Sequence, residues 1–247
     1  MNIRFDGKTV AVSGAGHGLG RVIARSFAAL GATVHGCDLD AAELAETARG
    51  HAGIHGRVVD LTDRGAAAAW IGGIGRIFCL VNNAGGVAGQ VMRPIEDVAD
   101  ADWDRIFAIN VGAAMALSRA AAPAMKAAGE GRIVNISSGA GLQASLTGIQ
   151  AYCSAKHAVV GLTRQLAHEL GPSGITVNSV APGFIRSNTT TERQWESYGA
   201  DGQQALVERI ALRRLGSAQD IANAVLFFAS PLASFVSGQI ISVDGGR

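Results

Sequence analysis

KTVAVSGAGHGLGRVIARSFAALGATVHGCD, residues 8–38, is the stretch that decides the fold. A short apolar run leads into a glycine-rich turn, an amphipathic segment follows, and a second apolar run ends at Asp38. Apolar positions at helical spacing between two Val-containing runs are typical of a β-α-β unit. Gly31 suits the position just after the helix, because glycine adopts the left-handed conformation without strain. The stretch therefore predicts two parallel strands that are joined by a helix.

The same alternation continues along the whole chain. Ala-rich or amphipathic segments separate the apolar runs, and no linker, charge run or repeat divides them. Buried parallel strands have this nearly continuous apolar character. We therefore expect an α/β fold, a single doubly wound, Rossmann-like domain over residues 1–247, with about seven parallel strands and helices on both faces. The predicted strands are KTVAVSG, ATVHGCD, GRVVDLT, IFCLVNN, GRIVNISS, ITVNSVAPG and QIISVDGG.

One segment interrupts this alternation. Residues 188–215, NTTTERQWESYGADGQQALVERIALRRL, are polar with two aromatic side chains. Long segments between regular elements are usually functional or mobile. We therefore expect a substrate flap here.

Composition and charge exclude several classes of protein. Of the 247 residues, 48% are hydrophobic and 17% are charged, which allows a large buried core. The formal net charge of +1 leaves no broad basic field, so nucleic acid is not an expected partner. The three cysteines lie far apart in the sequence, so neither a metal site nor a disulfide framework is expected.

The N-terminal sequence argues against export and against membrane insertion. Arg4, Asp6 and Lys8 are charged where a signal peptide is apolar. No uninterrupted apolar run reaches the roughly 18 residues of a membrane span. We therefore expect a cytoplasmic protein that does not bind a membrane.

The glycine-rich turn SGAGHGLG, residues 13–20, has the chemistry of a phosphate-binding loop. A turn between a strand and a helix presents backbone N–H groups and the positive end of the helix dipole to an anion. Its glycines do not satisfy GxGxxG, but Gly14, Gly18 and Gly20 satisfy GxxxGxG, with Gly16 in addition. The turn lacks the lysine of a P-loop, which disfavours a nucleoside triphosphate. A purely structural turn is the alternative.

Asp38 ends the second predicted strand, where a carboxylate can accept hydrogen bonds from an adenosine ribose. A carboxylate repels a 2′-phosphate, so this residue favours NAD over NADP. No lysine or arginine adjoins it in the sequence, and His17 is the only basic side chain within the glycine-rich turn. Asp40 competes for the same role, and an ordinary strand-end aspartate is the alternative.

Tyr152 and Lys156 lie four residues apart in AYCSAKHAVVGLTRQL, so on a helix they share one face. A phenol with a pKa of about 10 is a poor base at neutral pH, and a neighbouring ammonium favours the phenolate. Such a pair can move a proton to or from an alcohol oxygen. The run GRIVNISS ends just upstream in two hydroxyl side chains, and open α/β sheets place their sites at such strand ends. A helix surface pair is the alternative.

Seven short motifs in order resemble those of the short-chain dehydrogenase/reductase family, over nearly the whole chain. SGAGHGLG is similar to the family's TGxxxGxG turn, and NNAG follows the fourth predicted strand as it does in the family. The other motifs are VVDLTD, WDRIFAIN, AYCSAK with its YxxxK pair, APGFIRS and SGQIISVDGG. The resemblance implies an NAD(P)-dependent oxidoreductase that acts on CH–OH groups, as a homotetramer and without a metal.

The resemblance also implies a role for each catalytic residue. Tyr152 is the implied acid/base, and Lys156 is implied to lower the pKa of Tyr152 and to bind the nicotinamide ribose. Ser138 is implied to hydrogen-bond the substrate oxygen. Asn110, the last residue of WDRIFAIN, is implied to hold a water that links Lys156 to a proton relay.

The implied cofactor contacts come from several segments of the chain. The backbone near Ile185 and the hydroxyl of Ser187 are implied to hold the nicotinamide carboxamide, and Asp60 is implied to face the adenine. The full implied set is Ser13, Gly14, Gly16, His17, Gly18, Leu19, Gly20, Asp38, Asp60, Leu61, Asn83, Ala84, Gly85, Tyr152, Lys156, Pro182, Gly183, Ile185 and Ser187. The expected cofactor is NAD.

Two features depart from the family pattern. The separation of Ser138 and Tyr152 is one position longer than the family usually shows, which we interpret as one extra residue in the loop GLQASLTGIQ. Ser137 is the alternative to Ser138 as the catalytic serine. Phe78 stands where the family commonly has an aspartate before LVNNAG, and the sequence assigns no function to that change.

The side chains expected to contact the substrate are mixed in character. Gln143, Gln150 and Arg186 can bind hydroxyls or a carboxylate. Trp195 and Tyr198 can cover an apolar group or a sugar face, and Phe184 is also expected to contact the substrate. A solvated, outward Arg186 is the alternative for that residue. The favoured substrate is a small secondary alcohol or its ketone, such as a polyol, a sugar or a sugar acid.

Two other functions stay open from the sequence. A 3-oxoacyl-(acyl-carrier-protein) reductase using NADPH would present basic residues near the adenosine phosphate, and Asp38 and the small net charge count against it. A non-catalytic, cofactor-binding regulator on the same fold is the second alternative. The presence of Asn110, Ser138, Tyr152 and Lys156 together argues against that regulator.

Overall fold

The central sheet of this computed structural model, which describes residues 3–247, has seven strands that all run parallel. The strands are β1 (Thr9–Ser13), β2 (Thr33–Asp38), β3 (Ile54–Val58), β4 (Cys79–Asn82), β5 (Gly131–Ile136), β6 (Ile175–Pro182) and β7 (Ile240–Val243). Their order in the sheet is β3-β2-β1-β4-β5-β6-β7, so the winding reverses between β1 and β4. The predicted doubly wound α/β fold is confirmed.

Helices cover both faces of the sheet. They are α1 (Gly18–Ala29), α2 (Ala41–Ala48), α3 (Arg64–Ile74), α4 (Asp100–Phe107), α5 (Ala113–Ala128), α6 (Gln150–Leu170), α7 (Thr189–Ser197), α8 (Gly199–Glu208) and α9 (Ala218–Ala229). One core cluster joins the sheet to α1 and α9 and contains Phe27 and Phe228. The other joins it to α3, α5 and α6 and contains Trp70, Leu117 and Leu170.

The helix α1 shows why these segments fold as they do. Its buried residues Gly20, Ile23, Ala24 and Phe27 recur at helical spacing and form one apolar stripe against the sheet. The helix ends at Leu30, and Gly31 follows with φ +94°, as the sequence predicts. Because all strands are parallel, their carboxyl ends lie at one edge of the sheet, together with the start of α1.

Two elements differ from the sequence prediction. The third strand is Ile54–Val58, two residues ahead of the predicted GRVVDLT, because this exposed edge strand has little apolar pattern to mark it. The predicted flap, residues 188–215, contains α7 and α8. Its function as a flap stays a prediction.

The continuous helical stretch Asp100–Ala128 is long enough and apolar enough to cross a membrane by length and composition. The sequence predicts no such segment, because no uninterrupted apolar run is long enough to span a membrane. Within the fold α5 packs against α3, β4 and β5, and its residues Ala116, Leu117 and Met125 are buried there. The apolar side chains of α5 are therefore buried in the core of the fold.

Candidate active site

The glycine-rich turn between β1 and α1 needs its glycines for different physical reasons. Gly14 has φ +64°, a conformation that side chains disfavour. A Cβ on Gly20 would overlap the Gly14 carbonyl oxygen, so this glycine lets α1 begin against the turn. A Cβ on Gly16 would lie 2.8 Å from Oδ2 of Asp38, so that glycine makes room for the carboxylate. Leu19 packs against the core beneath the turn.

The first turn of α1 leaves backbone N–H groups free for an anion. His17 occupies the N-cap position, but within residues 3–247 its side chain makes no capping hydrogen bond, and the first turn holds no acidic residue. In contrast, side-chain oxygens of Asp40, Asp63, Asn188 and Ser217 cap α2, α3, α7 and α9. The start of α1 therefore fits the pyrophosphate of a dinucleotide.

Ser13 and Asn83 tie the glycine-rich turn to the loop after β4. The Ser13 hydroxyl accepts hydrogen bonds from the N–H groups of Asn83 and Ala84, each at 3.0 Å. The Asn83 amide donates to the carbonyl oxygens of Ser13 and Gly14, also at 3.0 Å. These predicted cofactor residues therefore fix two loops relative to each other.

The Asp38 carboxylate is oriented at the end of β2 by backbone N–H groups. Its Oδ1 accepts from Leu39 at 2.7 Å, and its Oδ2 accepts from Gly16 at 2.9 Å. Asp40, the competing candidate, uses its side chain to cap α2. Asp38 is therefore the carboxylate that adjoins the glycine-rich turn.

Asp60 and Leu61 lie in the turn that follows β3. The Asp60 carboxylate accepts hydrogen bonds from the Thr62 N–H and hydroxyl at 2.9 and 2.7 Å, and these bonds hold the pKa of Asp60 below its usual value. Leu61 is buried in the core. The turn therefore presents Asp60 at the same edge of the sheet as Asp38.

Tyr152 and Ser138 meet at the carboxyl end of β5. Tyr152 lies in the first turn of α6, and Ser138 follows β5 by two residues. Burial raises the pKa of the Tyr152 phenol, and a hydrogen bond with Ser138 offsets part of that rise. The phenol is therefore protonated at neutral pH and lies beside Ser138.

Lys156 lies one helical turn beyond Tyr152 and is only 4% exposed. Its Nζ donates to the Ile136 carbonyl at 2.9 Å and lies 5.7 Å from the centre of the Tyr152 ring. Burial lowers the pKa of this ammonium to about 8. The ammonium is directed to the Ile136 carbonyl, and its implied effect on the pKa of Tyr152 stays a prediction.

Asn110 lies in a π-helical turn, Ala108–Gly112, that joins α4 to α5. Its amide donates to the Gly86 carbonyl at 2.9 Å, and its Oδ1 accepts from the Gly86 N–H at 3.0 Å. A Cβ on Gly85 would approach both Asn110 and Lys156. Asn110 therefore holds the loop after β4 beside Lys156, and its role toward a water stays a prediction.

The Ser137 side chain is bonded to the backbone of α6. Its hydroxyl donates to the Lys156 carbonyl at 3.1 Å, and the residue is buried. Ser138 is the serine that contacts Tyr152. These contacts favour Ser138 over Ser137, and the interpretation of one extra residue in the intervening loop stays a prediction.

The segment after β6 lies against the start of α1. Pro182 ends β6, Gly183 follows, and Ile185 is buried. A Cβ on Gly18 would lie 3.1 Å from the Ser187 carbonyl oxygen. The residues implied to hold the carboxamide therefore adjoin the glycine-rich turn.

Two predicted substrate residues are bonded to other parts of the protein. The Gln150 amide donates to the Arg93 carbonyl at 2.8 Å. The exposed Arg186 guanidinium donates twice to one oxygen of Glu192, at 3.0 and 2.8 Å. Gln143 is exposed on the loop after β5. Of the three predicted polar contacts, only Gln143 is therefore left without such a side-chain bond among the described residues.

Apolar side chains lie on the segments that follow β4, β5 and β6. Phe184 stacks on Trp195 with ring centres 6.1 Å apart and contacts Tyr198 at 5.8 Å. Large aliphatic side chains are exposed on the loops after β4 and β5, namely Val91, Met92, Leu142 and Leu146. The loops that follow β4 and β5 therefore expose large apolar side chains at the carboxyl end of the sheet.

Comparison with known families decides the class of this chain. A family model described as enoyl-(acyl carrier protein) reductase matches residues 14–247. A (2S)-((R)-hydroxy(phenyl)methyl)succinyl-CoA dehydrogenase subunit from Thauera aromatica is 38% identical over 249 residues, 97% of this chain and 96% of the relative. The chain belongs to the short-chain dehydrogenase/reductase family. It is thus an enzyme of the oxidoreductase class.

Two other relatives of this short-chain dehydrogenase/reductase have different substrates in their names. The 7alpha-hydroxysteroid dehydrogenase of Escherichia coli (strain K12) is 36% identical and covers 99% of this chain and 96% of its own. The L-xylulose reductase of Bos taurus is 34% identical and covers 100% of this chain and 98% of its own. Similarity at this level therefore shows the family and leaves the substrate open.

Solved structures of the family share the fold closely. A 7alpha-hydroxysteroid dehydrogenase complexed with NADH and 7-oxo glycochenodeoxycholic acid has a TM-score of 0.90 at 35% identity, covering 99% of this chain and 96% of that one. A 3-oxoacyl-(acyl-carrier protein) reductase from Brucella melitensis with bound NAD has a TM-score of 0.88 at 33% identity, covering 99% and 93%. A provisionally named gluconate 5-dehydrogenase from Beutenbergia cavernae with bound NADP has a TM-score of 0.88 at 36% identity, covering 98% and 97%.

Phe78, the departure from the family's common aspartate, lies outside the candidate site. It precedes β4, at the sheet edge opposite the carboxyl ends, and packs against Phe5. Lys8 Nζ lies 4.3 Å from its ring centre, and the Arg132 guanidinium lies 5.6 Å from it. Two cations therefore rest against an aromatic ring at the base of the sheet.

Sequence reasoning missed Arg21 and Thr47, which contact the glycine-rich turn. Both side chains bond to the Gly16 carbonyl oxygen, although Thr47 belongs to α2. The sequence carries no spacing signal for a contact between α2 and this turn. His17 is the only basic residue within the turn itself, but Arg21 of α1 also reaches the turn in the fold.

Proposed function

We propose that this short-chain dehydrogenase/reductase is an NAD-dependent enzyme that interconverts a small secondary alcohol and its ketone. The observation that carries the proposal is the convergence of Ser138, Tyr152 and Lys156 at the carboxyl end of β5. The glycine-rich turn and Asp38 lie along the same edge of the sheet, where they fit a dinucleotide.

Tyr152 exchanges the proton of the reacting oxygen, and Ser138 orients that oxygen. In the direction of ketone reduction the protonated phenol donates its proton to the carbonyl oxygen. The raised pKa of Tyr152 keeps that proton available at neutral pH. The Ser138 hydroxyl stabilises negative charge on the same oxygen by hydrogen bonding. The nicotinamide ring, when bound, supplies or accepts the hydride.

Lys156 and Asn110 complete the proton path in this proposal. The Lys156 ammonium lies close enough to act on a Tyr152 phenolate. Its pKa of about 8 lets it release a proton at mildly alkaline pH. Asn110 keeps the loop after β4 against Lys156 and would hold the connecting water.

NAD is the proposed cofactor because Asp38 faces the space beside the glycine-rich turn. The carboxylate would accept hydrogen bonds from the ribose hydroxyls and repel a 2′-phosphate. Asp60, Asn83 to Gly85, and the segment from Pro182 to Ser187 would complete the site. Solved relatives with bound NADH, NAD or NADP support a nicotinamide cofactor, and the choice of NAD rests on Asp38.

A polyol, a sugar or a sugar acid is the proposed substrate class. A sugar face can stack on the Phe184 and Trp195 rings while Gln143 binds a hydroxyl. The similarity to L-xylulose reductase and to a gluconate 5-dehydrogenase supports this class. The occupied Gln150 and Arg186 do not contribute to it.

A secondary alcohol on an apolar ring system is the second candidate substrate. The exposed Val91, Met92, Leu142 and Leu146 favour it, because large apolar side chains on loops beside a cleft mark contact with an apolar ligand. The similarity to a hydroxysteroid dehydrogenase agrees with this candidate. A 3-oxoacyl-(acyl-carrier-protein) reductase activity with NADPH is disfavoured by Asp38.

The experiment that tests the function is a substrate panel with and without the Tyr152 hydroxyl. NADH formation is measured with polyols, sugar acids and alicyclic alcohols, for the unaltered protein and for Tyr152→Phe. We expect turnover on one of these classes and a loss of at least about 100-fold in kcat for the variant, with NAD binding retained. No turnover across the panel, or an active Tyr152→Phe, would contradict the proposal.

We also propose that the enzyme is a cytoplasmic homotetramer. The edge strand β7 and the exposed Leu232, Phe235 and Ile241 support assembly, because an open sheet edge and exposed apolar side chains favour a protein partner.

A further inference from the structure

The backbone of Gly16 is hydrogen-bonded at both its N–H and its carbonyl oxygen. The N–H donates to Oδ2 of Asp38 at 2.9 Å. The carbonyl oxygen accepts from Nε and Nη2 of Arg21 at 3.0 and 2.6 Å, and it lies 2.9 Å from the Thr47 hydroxyl. Arg21 of α1 and Thr47 of α2 therefore fix Gly16, whose N–H contacts the Asp38 carboxylate that is proposed to select the cofactor.

Thr47 alone cannot satisfy the carbonyl groups around it. Its hydroxyl is fully buried and lies 2.9 to 3.0 Å from the carbonyl oxygens of Ala15, Gly16 and Glu43. A hydroxyl has one proton to donate, so only one of these oxygens receives it at a time. Arg21 therefore supplies the lasting bonds to the Gly16 carbonyl.

The charge of Arg21 is not free to attract a phosphate. Its Nη2 forms an ion pair with the Glu43 carboxylate and also contacts the Glu43 carbonyl at 3.3 Å. All of its recorded bonds point to backbone oxygens and to α2. Arg21 thus orders the turn without offering a countercharge to a 2′-phosphate.

We infer that Arg21 and Thr47 are positioning residues that set the preference for NAD over NADP; this inference rests on the proposed function. They fix Gly16, whose N–H orients one oxygen of Asp38, while Leu39 orients the other. A pre-ordered carboxylate accepts ribose hydroxyls without a further entropic cost. Loosening it weakens NAD binding and also reduces the repulsion that excludes NADP.

Arg25 provides a matched control on the same helix. Its Nε donates to the Thr47 carbonyl at 3.0 Å, and its guanidinium pairs with Glu46 at 3.4 Å. Like Arg21, it connects α1 to α2 and is about one-third exposed. In the described part of the chain it makes no hydrogen bond to the glycine-rich turn.

The test is equilibrium binding of NAD and of NADP, measured by calorimetry without substrate. The variants are Arg21→Met, Thr47→Val, the conservative Thr47→Ser, and the control Arg25→Met. We expect Arg21→Met and Thr47→Val to weaken NAD binding about tenfold and NADP binding by much less. The ratio of the NADP dissociation constant to the NAD dissociation constant should therefore fall. Thr47→Ser and Arg25→Met should keep the ratio of the unaltered protein.

A substitution at Gly16 itself also tests whether the position of Gly16 controls the Asp38 carboxylate. Gly16→Ala leaves Arg21 and Thr47 in place but puts a Cβ 2.8 Å from Oδ2 of Asp38, so it should also lower the ratio. Thermal unfolding of each variant shows that it is folded. An unchanged ratio in Arg21→Met and Gly16→Ala, or an equal fall in Arg25→Met, would overturn the inference. Absence of NAD binding by the unaltered protein would instead overturn the proposed function.

Discussion

Lys156 is an ammonium enclosed by the protein, with a single hydrogen bond to a backbone carbonyl among the described residues. Burial lowers the pKa of its side chain from 10.5 to about 8. Between these values the unfolded chain binds one more proton than the folded chain, so stability rises with pH across this window. The buried, charged Lys156 therefore lowers the stability of the folded protein below pH 8, and this destabilisation disappears as the ammonium loses its proton at higher pH.

The pH dependence of stability tests that cost. The substitution Lys156→Met removes the titrating group, so the unaltered protein should gain about 2 kcal/mol of unfolding free energy relative to the variant between pH 7 and pH 10. Urea denaturation at both pH values measures the difference, and groups common to both proteins cancel. Parallel curves for the two proteins would show that the ammonium is not destabilised by burial.

Single residues show what the sequence can and cannot predict about the site. The sequence can predict Ser138 because it follows the buried strand β5, and Tyr152 because it lies in the first turn of the next helix, α6. Both positions lie at the carboxyl edge of the sheet. Gln150 and Arg186 were expected to face the substrate, but they bond to Arg93 and Glu192. Such pairing depends on which neighbours come within 3 Å in the fold, and sequence spacing does not reveal it.

At the scale of elements, strongly apolar strands were easy to predict and edge or irregular elements were not. The strands β5 and β6 are buried along their whole length and match the predicted GRIVNISS and ITVNSVAPG. The edge strand β3 was misplaced because His55, Gly56 and Arg57 are exposed. The π-helical turn that carries Asn110 has no sequence signal of its own, although such turns often occur at functional sites.

The helices α1 and α6 give opposite expectations for the same change of glycine to alanine. Gly161 is exposed inside α6 with open space around its Cβ position, so Gly161→Ala should stabilise the protein by about 0.5 to 1 kcal/mol. Gly20 in α1 has the Gly14 carbonyl and the Asn83 amide in that position, so Gly20→Ala should destabilise it and weaken NAD binding. Urea unfolding measures both. A Gly20→Ala variant as stable as Gly161→Ala would refute the close packing of the turn on α1.

At the scale of the whole molecule, most of the apolar side chains of α9 are buried within the single chain. Its residues Ile221, Val225, Leu226 and Phe228 are buried against α1 and the sheet. The sequence alone does not show whether this helix faces the core or a subunit interface, because a hydropathy pattern does not distinguish the two. The exposed apolar side chains that remain for an interface are Leu232 and Phe235, which follow α9, and Ile241 on the edge strand β7.

The proposed tetramer should therefore depend on Phe235 and Ile241. Phe235 is fully exposed in the single chain and Ile241 is 37% exposed on the open edge strand, so the double variant Phe235→Ser, Ile241→Thr should leave the fold of each chain intact while removing apolar contact area. We expect sedimentation velocity at micromolar concentration to show a tetramer for the unaltered protein and smaller species for this variant. The control Val58→Thr changes an exposed apolar residue on β3, at the other end of the sheet, and should stay tetrameric. A monomeric unaltered protein would contradict the assembly, and a tetrameric double variant would place the interface elsewhere, because apolar side chains that are buried between subunits are costly to replace by hydroxyls.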